Sequence, residues 1–429
     1  MICFRALYIF EGWRGRKGSR QRATEVRIDG NESRGRTLKL MISTDFAPNE
    51  ELDDALLSLK LLWQPWRWKT GKELNELKKV LFPNLNVSLF LTGRSALFHL
   101  LKTMRLPKNS EILIQAFTCE AVVLPILANS LKAVYVDIEK KTFSMNPIEL
   151  ERRIGPSSRV VILQHTFGLT PAQRAEIHSV VKKHNLVLIE DIAHGYNKDK
   201  IADRKSQIGN SYLLMSFGRS KAISSVFGGA VVSQKPLTIN LNMPSKLFIF
   251  RALLYKPLTY FIKKTYYIYL GKIIHKILLK LNFLIPEITT KEKGGNFDHW
   301  LDKAYPNAFA ILLLNQLDKL SRAQKQRART VSLYNHYFSG NSYEGALLRY
   351  PLLIANRNQI IAKLAKKNIF LGNWYEQVVA PIALNLDRVG YKKGNCPVAE
   401  ELSKKIINLP TNISLKEAEK VVKTLNDVL

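Results

Sequence analysis

The stretch SFGRSKAISSVFGGAVV, residues 216–232, holds a single lysine, Lys221, between apolar flanks, with Arg219 nearby and no acid close in sequence. A lysine amine attacks a carbonyl carbon only when neutral, and desolvation or neighbouring cations lower its pKa towards that state. Asp191 follows the apolar run LVLIE directly. A carboxylate so placed is costly to bury without a cationic partner. Gly93, Arg94 and Ser95 follow VSLFLT and open a helical pattern. A helix start there offers free backbone N–H groups and a positive dipole end, both suited to an anion such as phosphate. His194 comes just after Asp191, His165 follows VVILQ, and Ser216 closes YLLMS. Each residue alone has an ordinary reading: Lys221 a solvated loop lysine, Asp191 a helix cap, His165 and His194 structural histidines, Gly93 a turn glycine. Their shared position, each at the end of an apolar run, argues for a site.

Those runs are the elements that must position the site. VSLFL (87–91), ILIQ (112–115), AVYV (133–136), VVIL (160–163), LVLIE (186–190), YLLMS (212–216) and GAVVS (229–233) are short and mostly uniformly apolar, the pattern of strands covered on both faces. Amphipathic stretches lie between them, among them SALFHLLKTMR and TPAQRAEIHSVVKKHN. In the second, Thr170 is predicted as N-cap and Pro171 as the first helical residue. The alternation predicts an α/β fold with a large, doubly wound, mainly parallel sheet, whose ligands sit beyond the carboxyl ends of the strands. A lysine, a carboxylate and a phosphate-binding helix start at one edge match the aldehyde, ring nitrogen and phosphate of pyridoxal 5′-phosphate.

The chain resembles the DegT-type (DegT/DnrJ/StrS) sugar aminotransferases, which are fold-type I pyridoxal phosphate enzymes. The stretches that carry the resemblance are GRSALFHLL, VYVDIEKKTFSMNP, QHTFG, LVLIEDIAHG, SFGRSKAISSVFGGAVV, the QL of 316–317 and CPVAEELSKKIINLP. It spans about Pro48 to Leu429. It implies that Lys221 bonds to the cofactor aldehyde and carries protons, and that Asp191 pairs with the ring nitrogen. His194 would stand near the phenolic oxygen, and Ser216 with Gly93, Arg94 and Ser95 would hold the phosphate. Cys119 and His165 complete the expected cofactor-binding set, and no metal site is expected. The chain departs from the family pattern in three places. Arg94 replaces a threonine, Cys119 stands where an aromatic usually stacks on the cofactor, with Phe117 as a substitute, and DKAYPNAF replaces a segment whose asparagine reaches a neighbouring subunit's phosphate, leaving Asn307 as a candidate. The implied activity moves an amino group from a donor, glutamate by expectation, to a keto sugar on a nucleotide diphosphate, for surface-glycan or secondary-metabolite sugars. Dehydratases of the family replace the lysine with histidine, so the retained Lys221 argues against that variant. A regulatory relative or a surface-binding protein on the same scaffold is the alternative.

The bulk composition agrees with a folded enzyme. Of 429 residues, 46% are hydrophobic and 23% charged, near the average for globular domains. Cys3, Cys119 and Cys396 form no CxxC pair, against a disulfide framework or structural zinc and in favour of a reducing, cytoplasmic compartment. The formal charge is +30, and from Arg204 to Pro286 there is no Asp or Glu against 13 Lys and Arg. Residues 1–40 read as a disordered basic tail or a mis-assigned start ahead of Met41, without the pattern of a secretory signal. Residues 41–235 are assigned to the large cofactor-binding domain, 236–290 to a basic helical insertion, and 291–429 to a long helix (305–336) and a small C-terminal α/β domain. Within the insertion Lys272, Lys276 and Lys280 recur every four residues, which makes 244–285 a candidate for peripheral contact with an anionic membrane. No nucleic-acid motif is present; a homodimer is expected from the resemblance alone.

Overall fold

A computed structural model describes residues 41–196, 211–338, 340 and 342–429. The expectation for residues 1–40 lies outside the described residues.

All seven apolar runs form strands, and all seven belong to one sheet. They are β1 (Asn86–Phe90), β2 (Glu111–Gln115), β3 (Lys132–Val136), β4 (Ser158–Gln164), β5 (Val187–Asp191), β6 (Ser211–Ser216) and β7 (Gly229–Ser233), in the order β1-β7-β6-β5-β4-β2-β3. β2 to β6 run parallel, and β7 is antiparallel to both its neighbours. The uniform apolarity has the expected cause: Ile112 and Ile114 enter one core and Leu113 the other, on opposite faces of β2. The parallel register brings Gln164 beside Asp191, and Asp191 beside Leu214 on β6. The carboxyl ends of β4, β5 and β6 therefore share one edge of the sheet.

Closeness of β7 to that edge explains its glycine pair. A β-carbon on Gly229 would lie 2.5 Å from the Gly93 nitrogen, and one on Gly228 2.8 Å from the Tyr305 ring. Only a strand that begins without side chains can cross the Thr92–Gly93 peptide so tightly.

Helix boundaries depart from the sequence reading in two places. The helix expected from Thr170 begins at Arg174, with Gln173 as N-cap; the Ala172 N–H goes instead to Thr142 Oγ1 at 3.2 Å. The long helix of 305–336 is two helices, Asn307–Asp318 and Leu320–Tyr337, joined at Lys319. The first of these buries Ala308, Phe309, Leu312 and Leu313 in the same core as Leu213 and Met215 of β6. The proposed boundary at 290 thus divides a shared core.

Arg349–Leu353 (β8) and Ile406–Pro410 (β9) pair antiparallel in the C-terminal region. The final helix, Leu415–Asn426, starts at a capping box in which Ser414 and Glu417 satisfy each other's backbone N–H. The insertion is helical, over Lys246–Thr265 and Leu270–Lys280. Its first helix is half core: Phe248, Ile249, Ala252 and Leu253 are buried against the sheet side, and Ser58 Oγ donates to the Leu253 carbonyl at 2.6 Å.

Candidate active site

A cavity of about 150 Å³ opens at the carboxyl edge of the sheet, and Lys221 and Asp191 both line it. Lys221 sits in the turn between β6 and β7, its N–H bonded to the Gly218 carbonyl at 3.1 Å and its carbonyl held by the Asn49 side chain. Its ammonium lies over the Trp374 ring, 5.1 Å from the centroid. Burial lowers its pKa from the ordinary lysine value, with Arg349 acting in the same direction. Asp191 and Glu287 pull the other way without cancelling it.

Asp191 is the last residue of β5 and is buried. Burial raises its pKa; the Ala193 N–H, 2.9 Å from Oδ1, and the Lys221 charge partly offset that. Here is a buried carboxylate whose charge is under-compensated, the condition in which a protonated ring nitrogen would stabilise it.

Thr92, Gly93, Arg94, Ser216 and Gly218 also line the cavity. Thr92 caps the Gly93–Thr103 helix through its hydroxyl, which accepts the Ser95 N–H at 3.1 Å. Ser216 packs on the helix start so closely that a β-carbon on Gly93 would be 3.2 Å from its Oγ. Arg94 is turned to protein partners: its guanidinium pairs with Glu292 and donates to the Glu287 carbonyl at 2.8 Å.

His194 lines the cavity as a neutral ring. Burial, then the Lys221 and Arg349 charges, hold its pKa well below the ordinary value. Phe167 N–H donates to His194 Nδ1 at 3.3 Å, which puts the ring proton on Nε2, 3.4 Å from the Tyr375 hydroxyl. Gln164 extends this chain, donating to the same hydroxyl at 3.2 Å and accepting from Thr118 at 2.8 Å. Cys119 is also in the wall. Burial pushes its thiol up to about 12, so it stands there as a small neutral group.

Two of the expected residues face elsewhere. Ser95 Oγ donates to Asp302 at 2.6 Å, and that carboxylate also holds His99; the side chain serves the helix start from outside the cavity. His165 Nε2 is 2.7 Å from Glu190, whose other partners are Arg174 and His178. Asp191 and Glu190 are successive strand residues and point to opposite faces, so the partner of Glu190 cannot line the Lys221 cavity. The two substitutes have partners within this chain. Phe117 packs among Phe143, Phe167 and Tyr375 outside the cavity. Asn307 is buried, donating to Glu73 at 2.9 Å and to the Arg67 carbonyl at 3.0 Å.

Sequence reasoning missed Trp374, Tyr375 and Glu287. Trp374 stacks at 5.5 Å on His194, and the Arg349 guanidinium lies 3.3 Å from its ring centroid. It supplies the aromatic wall that Cys119 does not. Its position gave no signal, because it comes from the C-terminal region, far along the chain. Glu287 is the first acid after the acid-free run, and that was the signal available.

A seven-stranded sheet with one antiparallel strand, and a buried lysine and carboxylate at its carboxyl edge, define the fold-type I transferase class. Residues 58–242 and 306–426 match the DegT/DnrJ/EryC1/StrS aminotransferase family, and the chain belongs to it. It is 24% identical over 392 residues to a dTDP-4-amino-4,6-dideoxy-D-glucose transaminase of Escherichia coli, covering 87% of this chain and 94% of that one. The fold is similar to the sugar aminotransferase CalS13 of Micromonospora echinospora (TM-score 0.61, 16% identity, 91% of this chain and 100% of that one). It is also similar to NtdA of Bacillus subtilis with bound cofactor PMP (TM-score 0.62, 18% identity, 89% and 82%). The unmatched segment, 243–305, contains the helical insertion.

Proposed function

We propose that this chain is a pyridoxal phosphate-dependent aminotransferase that places an amino group on the keto carbon of a nucleotide-linked sugar, with glutamate as donor. One observation carries the reading: Lys221, its pKa depressed by burial, and Asp191, a carboxylate under-compensated by burial, line the same cavity. The dTDP-sugar substrate in the name of the Escherichia coli relative supports a nucleotide-linked acceptor.

The residues present fit the cofactor. When bound, it supplies an aldehyde carbon that takes up amines and a ring that takes up negative charge. Lys221 provides the amine and moves protons at its Nζ. Asp191 keeps a proton on the ring nitrogen. The Trp374 and Tyr375 side chains exclude water from one side, and neutral His194 offers its Nε2 proton as a donor. The Gly93 helix start and Ser216 hydroxyl bind the phosphate. A second copy completes the assembly in this reading: Leu52, Leu56, Leu59 and Trp63 form an exposed stripe on one face of the Leu52–Leu62 helix.

Borohydride trapping tests the cofactor. The protein supplied with pyridoxal phosphate should yield a reduced adduct that mass spectrometry maps to Lys221, and Lys221→Ala should lose it. A folded, cofactor-supplied sample with no adduct would falsify the reading. Incubation with dTDP- and UDP-linked ketosugars and glutamate should then release 2-oxoglutarate and an aminosugar. A deoxysugar without amine would indicate dehydration instead.

A further inference from the structure

The Leu270–Lys280 helix has two apolar sides, and only one is covered. Ile274 and Leu278 pack towards Met41, Phe46, Ile262 and Tyr266. Leu270, Ile273 and Ile277, with Leu281 just beyond, follow the three- and four-residue spacing of a second face, and all are exposed, Ile273 by 56% and Leu281 by 68%. Ile268 and Tyr269 extend this face at the preceding turn, each 66% exposed. Nearly half of the exposed large apolar side chains among the described residues lie between Leu247 and Leu281. Scattered apolar residues on a surface are ordinary, but a continuous stripe marks contact with something apolar.

The charges beside the stripe say what that is. Lys272, Lys276 and Lys280 run along its border at four-residue spacing, and the sequence has no acid from Arg204 to Pro286. In a two-fold interface between copies the same patch meets itself. These lysines would then face one another with no acid from this segment to separate them. An anionic lipid surface complements both features, with phosphates for the ammonium groups and the acyl boundary for Ile273, Ile277 and Leu281. No helix among the described residues is long and apolar enough to cross a membrane, so the contact lies in the interfacial plane. We propose that the 268–281 face seats this protein on the surface of a bilayer containing anionic lipid, independently of the aminotransferase reading.

Co-sedimentation of the full chain with vesicles tests this. Binding should be strong with phosphatidylcholine mixed with phosphatidylglycerol, weak with phosphatidylcholine alone, and reduced by salt. Lys272→Glu/Lys276→Glu/Lys280→Glu should lower partitioning roughly a hundredfold or more, at about 1 kcal/mol for each lysine lost near the surface. Ile273→Gln/Ile277→Gln should lower it with the lysines intact; both positions face solvent, and unchanged thermal melting checks that the fold survives. Equal pelleting of wild type and both variants would overturn the proposal. So would a fall in the lipid-free mass of Ile273→Gln/Ile277→Gln by light scattering, which would assign the face to a second copy.

Discussion

The Glu287 carboxylate occupies space that only a glycine at 218 leaves open: its Oε1 stands 2.6 Å from where a β-carbon on Gly218 would be, with Ser216 Oγ 3.7 Å from the same point. A chain carboxylate thus lies beside Ser216 and Gly218, the side of the cavity proposed to take the phosphate. Arg94, the cation expected to attract a phosphate there, is already paired with Glu292. A phosphate bound beside Glu287 would meet a like charge, with Lys221 of the same cavity as a cation that also interacts with Glu287. Glu287→Gln keeps the shape and removes the charge. It should tighten pyridoxal phosphate binding about tenfold, or about 1.4 kcal/mol, and leave pyridoxal, which lacks the phosphate, unchanged. Spectroscopic titration with both compounds checks this; equal shifts would mean that Glu287 acts on Lys221 rather than on the phosphate end.

Lys221 should condense with aldehydes at lower pH than an ordinary lysine. Only the neutral amine attacks, and burial places its proton loss below the usual lysine value of 10.5. The initial rate of adduct formation should rise with pH and reach half its maximum below that value. A half-maximum at or above it would show that the nearby acids, Asp191 and Glu287, outweigh burial.

Acid sensitivity should trace largely to Glu190. Burial alone would push its carboxyl up, but hydrogen bonds from His165, His178 and Arg174 outweigh this and hold it well below the carboxylate range. A carboxylate with a depressed folded-state pKa contributes its full stability above the unfolded value of about 4.3, and the contribution is lost as pH falls below it. Glu190→Gln should cost about 3–5 kcal/mol at neutral pH, since it removes the buried carboxylate that pairs with half-buried Arg174 and hydrogen-bonds buried His165. Its urea midpoint should also change less than that of the wild type between pH 5 and the acid limit. Parallel pH curves for the two proteins would contradict this.

The sheet was legible because its strands are buried on both faces, which writes them as uniform apolar runs; Ile112 to Ile114 and Val160 to Leu163 needed no other signal. Lys221, Asp191, Ser216 and Gly93 were legible because a parallel sheet gathers strand ends. His165 lies outside the Lys221 cavity because a strand end has two faces, and Glu190 holds the histidine on the other one. Trp374 was invisible for a different reason: tertiary packing brings it to the cavity from the C-terminal region, and its local sequence carries no period that reports this. The insertion's helices showed in their spacing, but which apolar stripe would be buried depended on Met41, Phe46 and Tyr266, which lie elsewhere in the chain or at a turn.

The insertion's attachment rests on an ion pair that the sequence did not suggest. Lys256 and Glu50 are buried with their charged atoms 2.7 Å apart. They join the Lys246–Thr265 helix to the segment leading into the Leu52–Leu62 helix. Burial of two charges is costly, so the pair adds little net stability over apolar residues of similar size, whereas loss of one partner leaves the other charge stranded. Lys256→Met should therefore cost about 3–5 kcal/mol in urea unfolding, and Lys256→Met/Glu50→Leu should recover most of it. A single variant that costs less than about 1 kcal/mol would show that water reaches Glu50 once the lysine is gone. In that case the packing of Phe248, Ile249 and Leu253 alone would fasten the helix to the body.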